Sequence, residues 1–129
     1  MDAALKQFVV PDLRAAGFKG SFPHFRRLTT DRIDLLTFGF DKDGGGFYIE
    51  IAQCTPEGFT NSWGKHIEPS KVTAWDISKL RPRLTPGMKP NEDKWFRFDK
   101  GDFGKCVAEV KALLPNAETW FRSLKGLSV

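Results

Sequence analysis

Three of the four tryptophans and the whole excess of basic side chains lie in the middle of this 129-residue chain. Residues 61–98 carry eight Lys or Arg and four Asp or Glu. The rest of the chain has equal numbers of basic and acidic residues, so this segment accounts for the net charge of +4. Arginine stacks on aromatic rings and pairs with carboxylates or phosphates, and Trp and Arg anchor protein interfaces. The alternative is that the tryptophans complete the core while the basic groups solvate the surface. The candidate binding residues are Trp63, His66, Trp75, Arg81, Arg83, Trp95 and Arg97.

Motifs for metals and cofactors are incomplete. The run from Asp41 to Gly44 is similar to the start of a calcium loop, but Gly45 and Ala52 occupy the fifth and twelfth positions, where ligands are required. Two histidines are too few for a zinc site without distant ligands. The glycine run at 44–46 leads into a predicted strand rather than a helix, which argues against dinucleotide binding. We expect no metal and no cofactor.

Two arrangements of side chains are chemically able to support catalysis. An imidazole of His66 beside Cys54 would generate a thiolate, although Cys54 ends a predicted strand and sheet packing explains it better. An aromatic-lined pocket that combines Tyr48, His66 and Arg81 would bind a small molecule or transfer protons. Paired carboxylates fall in predicted turns and helix starts, where acidic residues have structural roles. We assign no catalytic residue and favour a binding protein over an enzyme.

Composition indicates one globular domain over residues 1–129, because 40% of the residues are hydrophobic and no composition break divides the chain. The apolar stretch at residues 8–10 stops at Pro11, which excludes a signal-peptide core or a spanning helix there. The two cysteines do not suggest a disulfide framework. We expect a cytoplasmic protein with reduced thiols and no membrane association.

Helical periodicity marks both ends of the chain. At the N-terminus it predicts a helix over residues 2–16 that Gly17 ends and that Pro11 either kinks or breaks. At the C-terminus it predicts a helix that starts after the N-cap Asp102 and stops at Pro115. A second C-terminal helix is predicted to follow, with Asn116 as its cap. Its apolar face contains Trp120, Phe121 and Leu124, and Gly126 lies near its end.

Alternating apolar residues predict an antiparallel meander between these helical regions. Its three strands cover residues 25–28, 33–40 and 47–54, joined by hairpins at 29–32 and at the glycine-rich 41–46. Prolines and glycines interrupt residues 55–93, where only a weak strand over 73–80 is predicted. A final strand is predicted over 94–99, with Trp95 and Arg97 sharing one face.

Taken in order, these features resemble one protein family. The shared features are an initial helix that runs into Gly17-Phe18-Lys19, a strand through Phe25 and Arg26, and the runs 47–51, 81–84 and 93–96. The series is similar to the domain-of-unknown-function family numbered 4304, which consists of small bacterial α+β proteins. The resemblance covers about residues 5–124. It implies a fold but no catalytic residue, because the family has no agreed activity.

The expected fold is α+β, with a mainly antiparallel sheet of four to five strands packed against an N-terminal helix and two C-terminal helices. The middle segment is expected to cover part of the other sheet face. The leading functional hypothesis is a non-enzymatic module that binds a protein, in a bacterial defence or toxin-neutralising setting that the small orphan character of the domain suggests. The alternatives are binding of single-stranded nucleic acid by the basic aromatic surface, and small-molecule binding or catalysis in an aromatic-lined pocket. An exposed sheet edge would be compatible with a dimer.

Overall fold

A four-stranded antiparallel sheet lies at the centre of the fold in the computed structural model, which describes residues 1–89, 91–99 and 101–127. The helices and strands are α1 (Asp2–Phe8), α2 (Val10–Ala15), β1 (His24–Leu28), β2 (Ile33–Phe40), β3 (Gly46–Cys54), β4 (Phe59–Thr60), β5 (His66–Ile67), β6 (Phe96–Arg97) and α3 (Phe103–Ser123). Two short 3₁₀ turns cover Ala74–Asp76 and Lys125–Leu127. The sheet has the order β1-β2-β3-β6, and β4 and β5 form a separate two-stranded hairpin.

The N-terminal helical region breaks into two short helices at Val9. Pro11 occupies the first turn of α2, where a backbone N–H would have no acceptor within the helix, so the N–H that proline lacks is not needed. Of the two alternatives that the sequence left open, the break is therefore confirmed. Leu5, Val9 and Leu13 are buried against the sheet, while Phe8 points largely into solvent.

The C-terminal region forms one helix, so the predicted stop at Pro115 and the second C-terminal helix are wrong. Pro115 lies on the exposed side of α3, and the buried face continues past it from Val110 to Ala117. Burial of that continuous face offsets the one hydrogen bond that proline removes. Asn116 does not cap a helix; its side-chain amide donates to the carbonyl of Pro86 at 2.9 Å.

The two ends of α3 differ in how well the sequence identified them. The carboxylate of Asp102 accepts the Lys105 amide at 3.0 Å, which confirms the predicted N-cap. At the other end Leu124, rather than Gly126, adopts the left-handed conformation that ends the helix. Gly126 lies in the following 3₁₀ turn, and its amide donates to the side-chain oxygen of Gln53.

The three main strands and both hairpins between them are confirmed. In the glycine-rich turn, the Gly44 amide donates to the carbonyl of Asp41, and Gly44 and Gly45 both have positive φ. The weak strand predicted over 73–80 is wrong, because Thr73 and Asp76 form a capping box that folds residues 74–76 into a 3₁₀ turn. The final strand is shorter than predicted and contains only Phe96 and Arg97.

A polar network fixes the C-terminal part of α3 to the helix-covered face of the sheet. The fully buried carboxylate of Asp34 accepts hydrogen bonds from Arg27, Arg32 and Gln53 at 2.8–3.0 Å. Arg27 also binds Glu118 on α3 at 2.9 Å, and Gln53 donates to the carbonyl of Phe121 at 2.7 Å. Each member is hydrogen-bonded, as burial of charge requires.

The two faces of the sheet are covered differently. One face packs against the helices through a large cluster that includes Leu36, Phe38 and Phe47. The other carries a smaller cluster in which Ile33 and Leu35 pack against residues 72, 74 and 77, so the middle segment covers it in part, as expected. Among the residues described, no helix combines the length and apolar character needed to cross a membrane.

Candidate functional site

A row of polar side chains crosses the second sheet face beside the smaller cluster, and its two central members, Thr37 and Glu50, are buried. His24 on β1 pairs with Thr37 on β2, and Thr37 pairs with Glu50 on β3. Glu50 in turn pairs with Arg83. Cross-strand partners project to the same face of a sheet, so these four side chains lie side by side. With Tyr48, Trp75, Arg81, Trp95 and Arg97 they form what we call the arginine–aromatic face.

Arg83 reaches this face because residues 82–84 extend the sheet beyond β3. The Ile51 amide donates to the carbonyl of Pro82 at 3.0 Å, and the Leu84 amide donates to the carbonyl of Ile49 at 2.7 Å. Proline fits at position 82 because the pairing with β3 requires its carbonyl as an acceptor and does not require a backbone N–H. Leu84 is buried, and alternation along the segment directs Arg83 to the opposite side.

Two aromatic rings hold the guanidinium of Arg83. Its central carbon lies 4.0 Å from the ring centroid of Tyr48 and 5.2 Å from that of Trp95. The rings of Tyr48 and Trp95 are perpendicular, with centroids 5.2 Å apart. The guanidinium carbon of Arg97 also lies 5.3 Å from the ring centroid of Trp95. This is cation–π geometry, which orients the arginines as well as binding them. The expectation that Trp95 and Arg97 share a face agrees with these contacts.

Gly39 gives Tyr48 its position over the sheet. Gly39 and Tyr48 are cross-strand partners, and a Cβ atom at Gly39 would lie 2.5 Å from both Cε2 and Oη of the Tyr48 ring. The absence of a side chain therefore allows the ring to lie flat against β2. From there the ring supports Arg83.

The opposite end of the face is organised by Arg81 and His24. Arg81 pairs with Glu50 at 3.3 Å and donates to the carbonyl of Trp75 at 2.9 Å, which fixes the 3₁₀ turn that carries Trp75. The Trp75 ring meets the ring of His24 edge-on at 5.0 Å and remains 47% exposed. Thr37 Oγ1 lies 3.0 Å from Nδ1 of His24. Burial, reinforced by repulsion from a neighbouring arginine, lowers the pKa of His24, so its imidazole is neutral at neutral pH.

Carboxylates balance the arginines of the face. Arg81 is paired with Glu50, Arg83 with Asp93, and Arg97 with Asp41 at 3.6 Å. The excess of positive charge in residues 61–98 is therefore not concentrated on this face. The pairs hold the arginines in place rather than adding a strong positive field.

The structure brings together five of the seven candidate residues, namely Trp75, Arg81, Arg83, Trp95 and Arg97. Trp63 and His66 lie instead on the β4–β5 hairpin, which the sequence analysis missed. His66 lines a cleft of about 580 Å³ that includes Cys54 and Lys79 but neither Tyr48 nor Arg81. That cleft therefore does not unite the tyrosine, histidine and arginine considered from the sequence.

Cys54 lines the same cleft as His66 without the properties of a nucleophile. Burial, with a further contribution from the charge of Asp76, raises the pKa of its thiol to about 12. Nδ1 of His66 is engaged by Thr60 Oγ1 at 2.9 Å. Cys54 is thus a protonated packing residue, in keeping with its contacts in the smaller cluster.

Three residues of the face were missed as site residues by sequence reasoning: His24, Thr37 and Glu50. A signal for two of them was present, because Thr37 and Glu50 interrupt the apolar runs 35–38 and 49–52 at positions that face away from the helix-side core. Their adjacency depends on strand register, which the sequence pattern did not supply. Among the described residues, no group of three or more His, Cys, Asp or Glu side chains is placed to hold a metal ion.

Comparison with known proteins agrees with the fold-level resemblance. No curated protein and no solved structure matches the chain. A family model matches residues 9–123, which is most of its length. The chain therefore belongs to the family described as domain of unknown function DUF4304.

Proposed function

We propose that this chain is a non-enzymatic protein-binding module and that the arginine–aromatic face is its contact surface. The observation that carries the proposal is that aromatic rings and carboxylates hold three arginines on the sheet face opposite the helices. Tryptophan, tyrosine and arginine are the residue types that dominate binding energy at protein interfaces. Side chains already fixed in the free protein lose less conformational entropy when a partner binds.

The charge balance of the face favours a protein partner over a nucleic-acid strand. Binding to single-stranded nucleic acid combines aromatic stacking with a positively charged groove that tracks phosphates. Here Glu50, Asp93 and Asp41 accompany the three arginines. Repulsion between these carboxylates and phosphates would oppose binding, whereas protein interfaces accommodate mixed charges.

The chemistry of the face also favours binding over catalysis. A general base needs a free acceptor within reach of a substrate proton. Nδ1 of His24 contacts Thr37, the His24 ring contacts Trp75, and Glu50 is paired with Arg81. These groups support one another and hold the face rigid. A defence or toxin-neutralising role for such a module stays an expectation from the sequence.

The proposal is tested by affinity capture with Trp75→Ala and Arg97→Ala variants. About half of each side chain is exposed, 47% for Trp75 and 54% for Arg97, so the fold should tolerate their truncation. Trp63→Ala and Arg122→Ala are matched controls, because they remove an exposed tryptophan and an exposed arginine away from the face. Captured proteins are quantified by mass spectrometry, and the partner is then titrated by calorimetry.

We expect Trp75→Ala to weaken partner binding by about 30-fold, the equivalent of a hot-spot loss of about 2 kcal/mol. Arg97→Ala should weaken it less, because this arginine lies towards the edge of the face. Equal capture and equal affinity for both face variants and both controls would contradict the proposal.

A further inference from the structure

We propose that the cleft beside the β4–β5 hairpin binds a small neutral saccharide. This site is separate from the arginine–aromatic face and does not depend on the function proposed for it. The cleft has a volume of about 580 Å³ and lies between the end of β3, the hairpin, residues 77–79 and the last 3₁₀ turn. Its volume falls within the range of small-molecule sites.

The cleft presents several hydrogen-bonding groups that the fold does not use. Within the described part of the chain, the hydroxyls of Ser62 and Ser78 and the ammonium of Lys79 have no hydrogen-bond or ion-pair partner, yet all three residues line the cleft. The ring of His66 contacts Thr60 Oγ1 through its Nδ1 atom at 2.9 Å, and no described residue forms a hydrogen bond with its other nitrogen. These groups are available to a ligand without breaking an existing contact.

The mixture of donors and acceptors matches sugar hydroxyls. Each sugar hydroxyl both donates and accepts, and the serine hydroxyls do the same. Lys79 adds donors, and the carboxylate of Glu57, which also lines the cleft, adds an acceptor. The Glu57 carboxylate on the cleft wall would repel phosphate or another anion, so the balance favours an uncharged ligand.

Trp63 supplies the flat apolar surface that the C–H face of a sugar ring can contact. The indole is 90% exposed, although the loop that carries it is well defined. Asn61 Oδ1 accepts the amides of both Trp63 and Lys65 at 3.0 Å, and Gly64 adopts positive φ. Trp63 directly follows Asn61 and Ser62, which line the cleft. An exposed indole held on a rigid turn beside unpaired hydroxyls is an arrangement that core packing does not require.

The inference is tested by titrating the isotopically labelled protein with glucose, galactose, N-acetylglucosamine and maltose while its backbone amide resonances are recorded. At least one sugar should cause saturable shifts at Ser62, Trp63 and Ser78 at millimolar concentrations. Trp63→Ala should weaken that binding by about tenfold, corresponding to about 1.4 kcal/mol. Trp75→Ala is the matched control and should leave sugar binding unchanged.

Three results would overturn the inference. The first is the absence of saturable shifts with every sugar tested. The second is saturable binding of inorganic phosphate or glycine at the cleft without binding of any sugar, which would assign the site to a charged ligand. The third is equal sugar affinity in the wild type and Trp63→Ala, with the amide spectrum of the variant confirming its fold.

Discussion

The placement of Tyr48 over Gly39 can be tested by adding a single methyl group. Gly39→Ala introduces a Cβ atom that would overlap the Tyr48 ring, so the ring must leave its position on β2. Overpacking of this kind costs about 1–3 kcal/mol. Displacement of the ring also removes its contacts with Arg83 and Trp95, in which cation–π and aromatic pairs each contribute about 1 kcal/mol.

We therefore expect Gly39→Ala to lower the free energy of unfolding by about 2–3 kcal/mol, the overpacking cost together with part of the lost ring contacts. Urea unfolding followed by circular dichroism measures this change from the transition midpoint and slope. The near-ultraviolet spectrum should change too, because Tyr48 and Trp95 lose their fixed arrangement. Gly104→Ala is the matched control: its added methyl group meets no neighbouring atom and lies in the first turn of α3.

A double-mutant cycle with Tyr48→Ala identifies the cause of the destabilisation. Without the tyrosine ring, the added methyl group has no ring to displace. Gly39→Ala should then be neutral, or stabilising by about 0.5–1 kcal/mol because alanine loses less backbone entropy than glycine. An equal cost of Gly39→Ala in the presence and absence of the Tyr48 ring would refute the reasoning.

Two further predictions concern the buried polar groups of the sheet. Asp34→Ala should destabilise the fold by about 3–5 kcal/mol in urea unfolding, because it leaves Arg27 and Arg32 without their buried carboxylate; a loss below 1 kcal/mol would contradict this. In the folded protein, burial lowers the pKa of His24 below its ordinary value of 6.5. The unfolded chain therefore binds more protons, and stability is lost as the pH falls from 6.5 towards the lower pKa of the folded state. His24→Gln should flatten this part of the stability profile, and an unchanged slope would contradict the assignment.

The sequence was most informative where local chemistry decides the structure. Alternating apolar residues and the glycines at 44 and 45 were sufficient to predict β2, β3 and their hairpin. Tertiary contacts decided the other cases. Pro115 ends a helix by its local preference, but the buried face that continues from Val110 to Ala117 maintains α3.

The candidate site divides in the same way. Its residue types were evident from composition, whereas the grouping depended on strand register and on the pairing of residues 82–84 with β3. Sequence separation concealed the contact between Tyr48 and Arg83, which are 35 positions apart but adjacent in the structure. The charge excess of the middle segment gave no indication that Glu50 and Asp41, from outside that segment, would pair with its arginines.

The most direct test of the central claim is photo-crosslinking in cells from single positions on and off the arginine–aromatic face. A photoreactive amino acid replaces Trp75 or Arg97 on the face, and Arg122 on α3 in the control. The account predicts a discrete adduct from both face positions that protease removes and nuclease does not, with no such adduct from position 122. The claim that this face binds a protein would be contradicted if one or both face positions gave no protein adduct, or if only position 122 gave one.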